Sequence, residues 1–237
     1  MANVMGILAS TMRTDAEALR VIAQNVSSAD NVAYRRQILV SRPDFDSLAH
    51  SAQAQLLLPK VQTAIDSRPG TLKSTGESLD LAIQGDAYFV VSTAQGELLT
   101  RRGDFHVDPT GVLSAFNGDP VLGTEGTIRM PEGTPKIDLD GTVRIGSETV
   151  GHLRLEELAP EASVRPMGDA LFASQGGAPV ASPSAQVHQG FLETSNVSPV
   201  NEMLHLLQAV RHFEAGQRFV RTYDEMLDRA LSDLGKI

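Results

Sequence analysis

Two apolar seams, one at each end of the chain, constrain the fold more than anything between them. Met1, Met5, Leu8, Met12, Asp15, Leu19, Ile22 and Val26 recur at alternating steps of four and three. Met203, Leu206, Val210, Phe213, Gln217, Val220, Asp224, Leu227, Leu231 and Leu234 do the same. A sustained step of this kind is the period of helices that pack along a shared seam. The spacing predicts one helix over 1–28 and another beginning just after Asn196. Everything between reads as strand and turn. The expected fold class is α+β. The N- and C-terminal helices pair as a coiled-coil-like unit, and a central, mainly antiparallel β domain separates them in sequence.

The element boundaries have local causes. Asn25, Ser27, Ser28, Asp30 and Asn31 crowd together, and such side chains compete with helical backbone bonds. Ser198 reads as an N-cap, Pro199 suits a first helical turn, and Glu202 reads as the partner in a capping box. Between them, turn signals come at short intervals: Arg68-Pro69-Gly70, Gln95-Gly96, Asp108-Pro109-Thr110-Gly111 and Asn117-Gly118-Asp119-Pro120. Asp140-Gly141 reads as the turn of a hairpin. Gly176–Gln186 is poor in bulky residues and reads as a linker or an exposed loop. Tyr34–Leu58 is expected to be irregular and extended, with a helical turn over Ala49–Leu57. The resulting division is 1–33 with 198–237 as terminal helices forming an assembly core, 34–66 as a connecting segment, and 67–197 as a β-rich domain.

Charge and composition remove several function classes. The net charge of −9 leaves no basic surplus for neutralising phosphates, so nucleic acid is not an expected partner. The absence of cysteine excludes disulfides, thiolate metal sites and cysteine catalysis. No apolar run approaches bilayer-spanning length, so no direct membrane insertion is expected. The first residues lack a basic n-region, and Arg13 and Asp15 interrupt the short apolar stretch, so no cleavable secretory signal is expected.

Candidate chemistry is thin. Asp138-x-Asp140-Gly141 has part of a calcium-loop pattern, but position twelve of such a loop would be Thr149, which cannot supply the closing carboxylate. A β-turn is the better reading. His205 and His212 lie seven apart, whereas a helical metal pair needs a spacing of four. Asp80 and Asp86 flank Leu81-Ala82-Ile83 and could in principle form an acid–base pair; strand-edge polar residues are by a wide margin the better reading. No nucleophile elbow, phosphate loop or dinucleotide fingerprint occurs. The expectation is no catalytic residue, no metal and no cofactor: not an enzyme.

The seams could be ordinary core helices, or they could drive self-assembly. Asp15, Gln217 and Asp224 interrupt them, and polar residues inside a seam fix register at a cost in stability. The last helix also has a second apolar line, through Leu207, Phe219, Tyr223, Met226 and Ala230. Two apolar faces on one helix suit more than one neighbour. The expected assembly interface is therefore Met5, Leu8, Met12, Leu19, Ile22, Val26, Met203, Leu206, Val210, Phe213, Val220, Leu227, Leu231 and Leu234.

Four segments then resemble the rod and hook proteins of the bacterial flagellum. Gln24–Arg36 is similar to that family's N-terminal signature, Thr75–Val91 to its Thr-Gly-x-x-Leu-Asp-Leu-Ala-Ile segment, Thr100–Phe105 to its Thr-Arg-x-Gly-x-Phe, and Gly190–Met203 to its Gly-x-Leu-Glu-x-Ser-Asn-Val. Two residues depart from the pattern: Ala33 and Ala87 stand where glycine is usual. Ala33 implies either a turn that avoids positive φ or one that bears some strain. The resemblance implies a structural subunit of the basal-body rod with the β-rich domain outside a tube of terminal helices. Its implied partners are copies of itself, other rod proteins and the flagellar type III export apparatus. It also implies no cleavable signal and no enzymatic activity. The ending from Asp224 to Lys236 and the shorter chain resemble the proximal-rod branch; the distal-rod branch is the alternative. Outside the family, the alternative is a β-rich secreted binding module or adhesin.

Overall fold

The computed structural model describes residues 2–42, 60–182 and 184–234. The chain divides into two compact units. Unit 1 comprises Met1–Ser27, Gln37–Asp66 and Ser198–Ile237, and unit 2 comprises Ser28–Arg36 and Ser67–Val197.

Unit 1 is helical with one added strand pair. Helix α1 is Ala2–Ser27 and helix α2 is Pro199–Leu234. At 36 residues, α2 is about 54 Å long. Ser10 and Thr14 stay helical by turning their hydroxyls back to the carbonyls of Ile7 and Ser10. The strands Gln37–Arg42 and Lys60–Ile65 pair antiparallel, with Gln37 opposite Ile65 and Arg42 opposite Lys60. The helical turn expected over Ala49–Leu57 lies outside the described residues.

At the start of α2 the capping-box expectation needs correction. A box pairs the cap with the third residue after it, which is Asn201 rather than Glu202. Glu202 is instead buried, 1% exposed, and its Oε2 accepts a hydrogen bond from Asn25 Nδ2 at 3.2 Å. Asn25, equally buried, also grips the first strand: its Oδ1 accepts from the Gln37 amide and its Nδ2 donates to the Gln37 carbonyl, both at 2.9 Å. One side chain thus ties the end of α1, the start of the strand pair and the start of α2.

Unit 2 is built on a six-stranded antiparallel sheet. Its order is Ser163–Gly168, Leu171–Gln175, Gly96–Thr100, Ala87–Thr93, Leu155–Glu157, Val180–Ala181. The hairpin Ala87–Thr93 with Gly96–Thr100 lies at the centre, and later segments return to flank it on both sides. A three-stranded sheet, Pro135–Ile137, Thr142–Ile145 and Glu148–His152, contains the expected Asp140-Gly141 turn. Gly141 has φ +87°, which glycine adopts without strain.

The core of unit 2 gathers Leu81, Phe89, Val91, Leu113, Val121, Val143, Leu153 and Val187. Phe89 and Phe105 meet edge to face, centroids 5.0 Å apart. Ala87 to Val91 are buried at every position, because both faces of that central strand are covered. The low-bulk stretch Gly176–Gln186 is not an exposed loop throughout. Val180–Ala181 forms the sheet's outer strand, and Ser182 and Ala185 are buried.

Candidate assembly interface

The two helices of unit 1 run antiparallel against each other. Asn25 meets Glu202, Asp15 Oδ2 lies 2.8 Å from His212 Nδ1, and Gly216 lies opposite Met12. Each step backward along α1 is a step forward along α2. Half-buried or buried positions on α2 run Glu202, Leu206, Ala209, Phe213, Gly216, Val220, Tyr223. That is again an alternating step of four and three, so α2 does carry a covered heptad line.

The covered line is shifted from the one read in sequence. It shares Leu206, Phe213 and Val220 with the expected interface. Met203, Val210 and Leu227 fall outside it, 58%, 37% and 36% exposed. Leu231 and Leu234 belong to α2, but their side chains lie outside the described ones. On α1 the agreement in position is closer: Met5, Leu8, Met12, Leu19, Ile22 and Val26 are all half-buried. The shift on α2 has a simple origin. Ala209 and Gly216 count as blanks in an apolar pattern, yet small residues are what lets a neighbouring helix approach, and Glu202 is polar but buried.

Beside its covered line α2 therefore presents bare apolar side chains: Val200, Met203, Leu204 and Leu207 at one end, Phe219 and Met226 toward the other. Of the two histidines on this helix, His212 joins Asp15 and His205 lies 3.7 Å from Glu202.

Parts of the four sequence segments singled out above meet in unit 2. Glu193, 1% exposed at its side chain, lies between Arg35 and Arg101, each 3% exposed. These three residues come from three of those segments. Gly103, in one of them, packs so tightly that a Cβ would fall 1.7 Å from the Leu81 carbonyl oxygen. Gly70 is equally constrained, with Thr194 O at 1.8 Å from such a Cβ. Ala33 settles its open alternative: φ is +54° in a fully buried residue, so the turn bears strain. Asp138 and Asp140 serve the hairpin turn, where Asp140 Oδ1 accepts the Thr142 amide and Asp138 pairs with Arg144. Asp80 contributes backbone, accepting the Gly190 amide through its carbonyl.

Comparison with known proteins adds independent findings. Residues 188–233 match the family model "Flagellar basal body rod FlgEFG protein C-terminal", and 82–145 match "Flagellar hook protein FlgE/F/G D1 domain". A FlgF rod protein of Mesorhizobium japonicum is 32% identical, covering 92% of this chain and 91% of the relative. One of Salmonella typhimurium is 33% identical over 96% and 95%. A FlgG rod protein of Agrobacterium fabrum is 30% identical over 94% and 96%. The chain belongs to the flagellar basal-body rod protein family, and it is a structural subunit of that rod. Within the family it is FlgF-like. Membership assigns it to the flagellum basal body and to assembly with other rod components. No described helix is long and apolar enough to cross a membrane.

Proposed function

We propose that this chain polymerises through its terminal segments, 1–33 and 198–237, whose helices pack in a coiled-coil-like manner with copies of itself and with other rod subunits. The observation that carries the reading is the two-sided character of α2, a covered heptad line with bare Met203, Leu204 and Leu207 beside it. A repeated contact between unlike faces builds an open filament rather than a closed oligomer. The expected interface residues divide accordingly. Leu206, Phe213 and Val220 hold the helices of one subunit, while Met203, Val210 and Leu227 meet a neighbour. We assign the subunit to the proximal part of the rod, exported by the flagellar type III apparatus.

The test is electron microscopy of basal bodies from cells lacking the gene, complemented with wild type or Met203→Asp. The wild type is expected to restore rod and hook, and the variant to fold yet fail to restore them. Intact rods in the deletion strain would overturn the rod assignment for this chain. A distal position is the second reading, favoured by the FlgG relative that aligns over nearly the whole chain. Labelling the subunit along purified rods separates the two positions.

A further inference from the structure

Three segments of unit 2 that are far apart in sequence are held together by two residues. Glu193 Oε1 lies 2.6 Å from Arg35 Nη1 and accepts the Gly70 amide at 2.9 Å. Its Oε2 is 3.5 Å from Arg101 Nη1. Its backbone carbonyl accepts the Ala33 amide at 2.8 Å. Asn196 repeats the pattern three residues later: Oδ1 accepts the Arg36 amide at 2.6 Å and Nδ2 donates to the Arg68 carbonyl at 2.7 Å. Arg35 Nη1 also donates to that carbonyl, at 2.7 Å. The result is a clasp of 33–36, 68–70 and 193–196.

The charge balance of the clasp imposes an order. Two guanidinium groups are buried against one carboxylate. Arg101 has other partners in the carbonyls of Ile83 and Gly85 and the ring of Tyr88, 5.0 Å away, and the exposed Asp86 attracts it less than Glu193 does, so Glu193 is the buried carboxylate that faces both cations. Burying Arg35 and Arg101 before Glu193 arrives places two like charges in a low-dielectric interior, which is strongly unfavourable. The contact is also among the least local in the unit. The hairpin Ala87–Thr93 with Gly96–Thr100 closes over a tight turn, whereas Arg35 must meet Glu193 across most of the chain.

We propose that this clasp is the last part of unit 2 to close during folding, and that Glu193 is the latch that closes it. Until the strand Phe191–Glu193 pairs with Leu72–Ser74, the sheet core is formed but the segments around Arg35 and Arg68 stay open. This ordering is independent of how the subunit assembles. It gives the chain a built-in completion step, because the clasp closes only when a segment close to the start of α2 has been supplied.

Pulsed hydrogen exchange during refolding of the wild-type chain tests the order without any variant. The Leu113 and Val121 amides, bonded within the core, are expected to gain protection in an earlier phase. The Ala33, Arg36 and Gly70 amides are expected in a later one. Simultaneous or earlier protection of the clasp amides would overturn the proposal. In the full chain, Glu193→Gln is expected to speed unfolding about a hundredfold or more while the earlier phase keeps its rate. A matching slowdown of that early phase would equally sink it. If the variant does not fold, the wild-type labelling still decides.

Discussion

Asp15 and His212 face each other across the helices of unit 1, Oδ2 to Nδ1 2.8 Å, where the apolar seam of α1 is interrupted. The aspartate is 15% exposed and the histidine 65%, so the pair lies at the rim of the contact. A rim pair adds little stability but orients its partners. In sequence Asp15 looks like a flaw in the seam. In the folded unit it marks the register in which Met12 meets Gly216 and Asn25 meets Glu202.

The division of α2 into a covered and a bare line predicts opposite phenotypes for neighbouring substitutions. Leu206→Asp puts a charge into the contact with α1 and is expected to destabilise the helices of the isolated subunit by about 3 kcal/mol or more. Met203→Asp is expected to change the subunit's stability by less than about 0.5 kcal/mol and to abolish assembly. Helical circular dichroism through thermal unfolding, with sedimentation for assembly, checks both.

Gly103→Ala is expected to destabilise unit 2 by more than about 3 kcal/mol, since the new Cβ meets a backbone oxygen that cannot swing aside. The denaturant midpoint of the full chain reads this directly. A shift below about 1 kcal/mol would mean that the Leu81 strand yields.

Ala170 offers the opposite case. Asp169 and Ala170 both have positive φ, +48° and +58°, in the turn joining Ser163–Gly168 to Leu171–Gln175. Such turns favour glycine at the second position. Ala170→Gly is expected to raise stability by roughly 0.5–1 kcal/mol, because relief of the left-handed backbone outweighs the added freedom of the unfolded chain. Differential scanning calorimetry would show an upward shift in Tm.

Asp108 predicts a response to acid. Its Oδ1 accepts the amides of Val112 and Thr110 and the Thr110 hydroxyl, and these bonds, with Val112 the largest cause, hold its pKa below the ordinary value. A carboxylate with a lowered folded pKa contributes stability that is complete above its unfolded value, about 3.9, and is lost as pH falls through the folded value. Asp108→Asn is expected to flatten the stability profile of unit 2 below about pH 4. Denaturant melts across that range measure it.

What the sequence shows and hides follows from the forces involved. Periodicity found both helices because an apolar stripe repeats with the helix itself. Turn chemistry found the Asp140-Gly141 hairpin because that turn needs particular residues. Neither signal reaches the order of the six-stranded sheet, which depends on contacts such as Leu155 opposite Phe89. Neither finds Glu193 or Asn196, whose partners are remote in sequence, Gly70 for the first and Arg36 for the second. The line of α2 covered by α1 runs through Ala209 and Gly216, which an apolar pattern passes over because small residues pack without adding to it. Glu202 stands one position beyond the capping-box site, and its burial against Asn25 is invisible to local spacing. The resemblance to a family supplied what local patterns could not: that Arg35, Arg101 and Glu193 lie in segments worth connecting.

Asn25 has a consequence of a different kind. Its amide meets both the N–H and the C=O of Gln37, as a residue of an adjacent strand would. In an antiparallel ladder, successive residues turn their polar backbone groups alternately toward and away from the partner. Gln37 is thereby committed to turning away from Lys60–Ile65, and Ile38 to facing it. The side chain of one helical residue thus acts as a peptide surrogate, a single rung borrowed from a strand that is not there, and it fixes the parity of every residue that follows. A slip by one position would invert the two faces of the strand pair, and Asn25 is the ruler against which that slip would be detected.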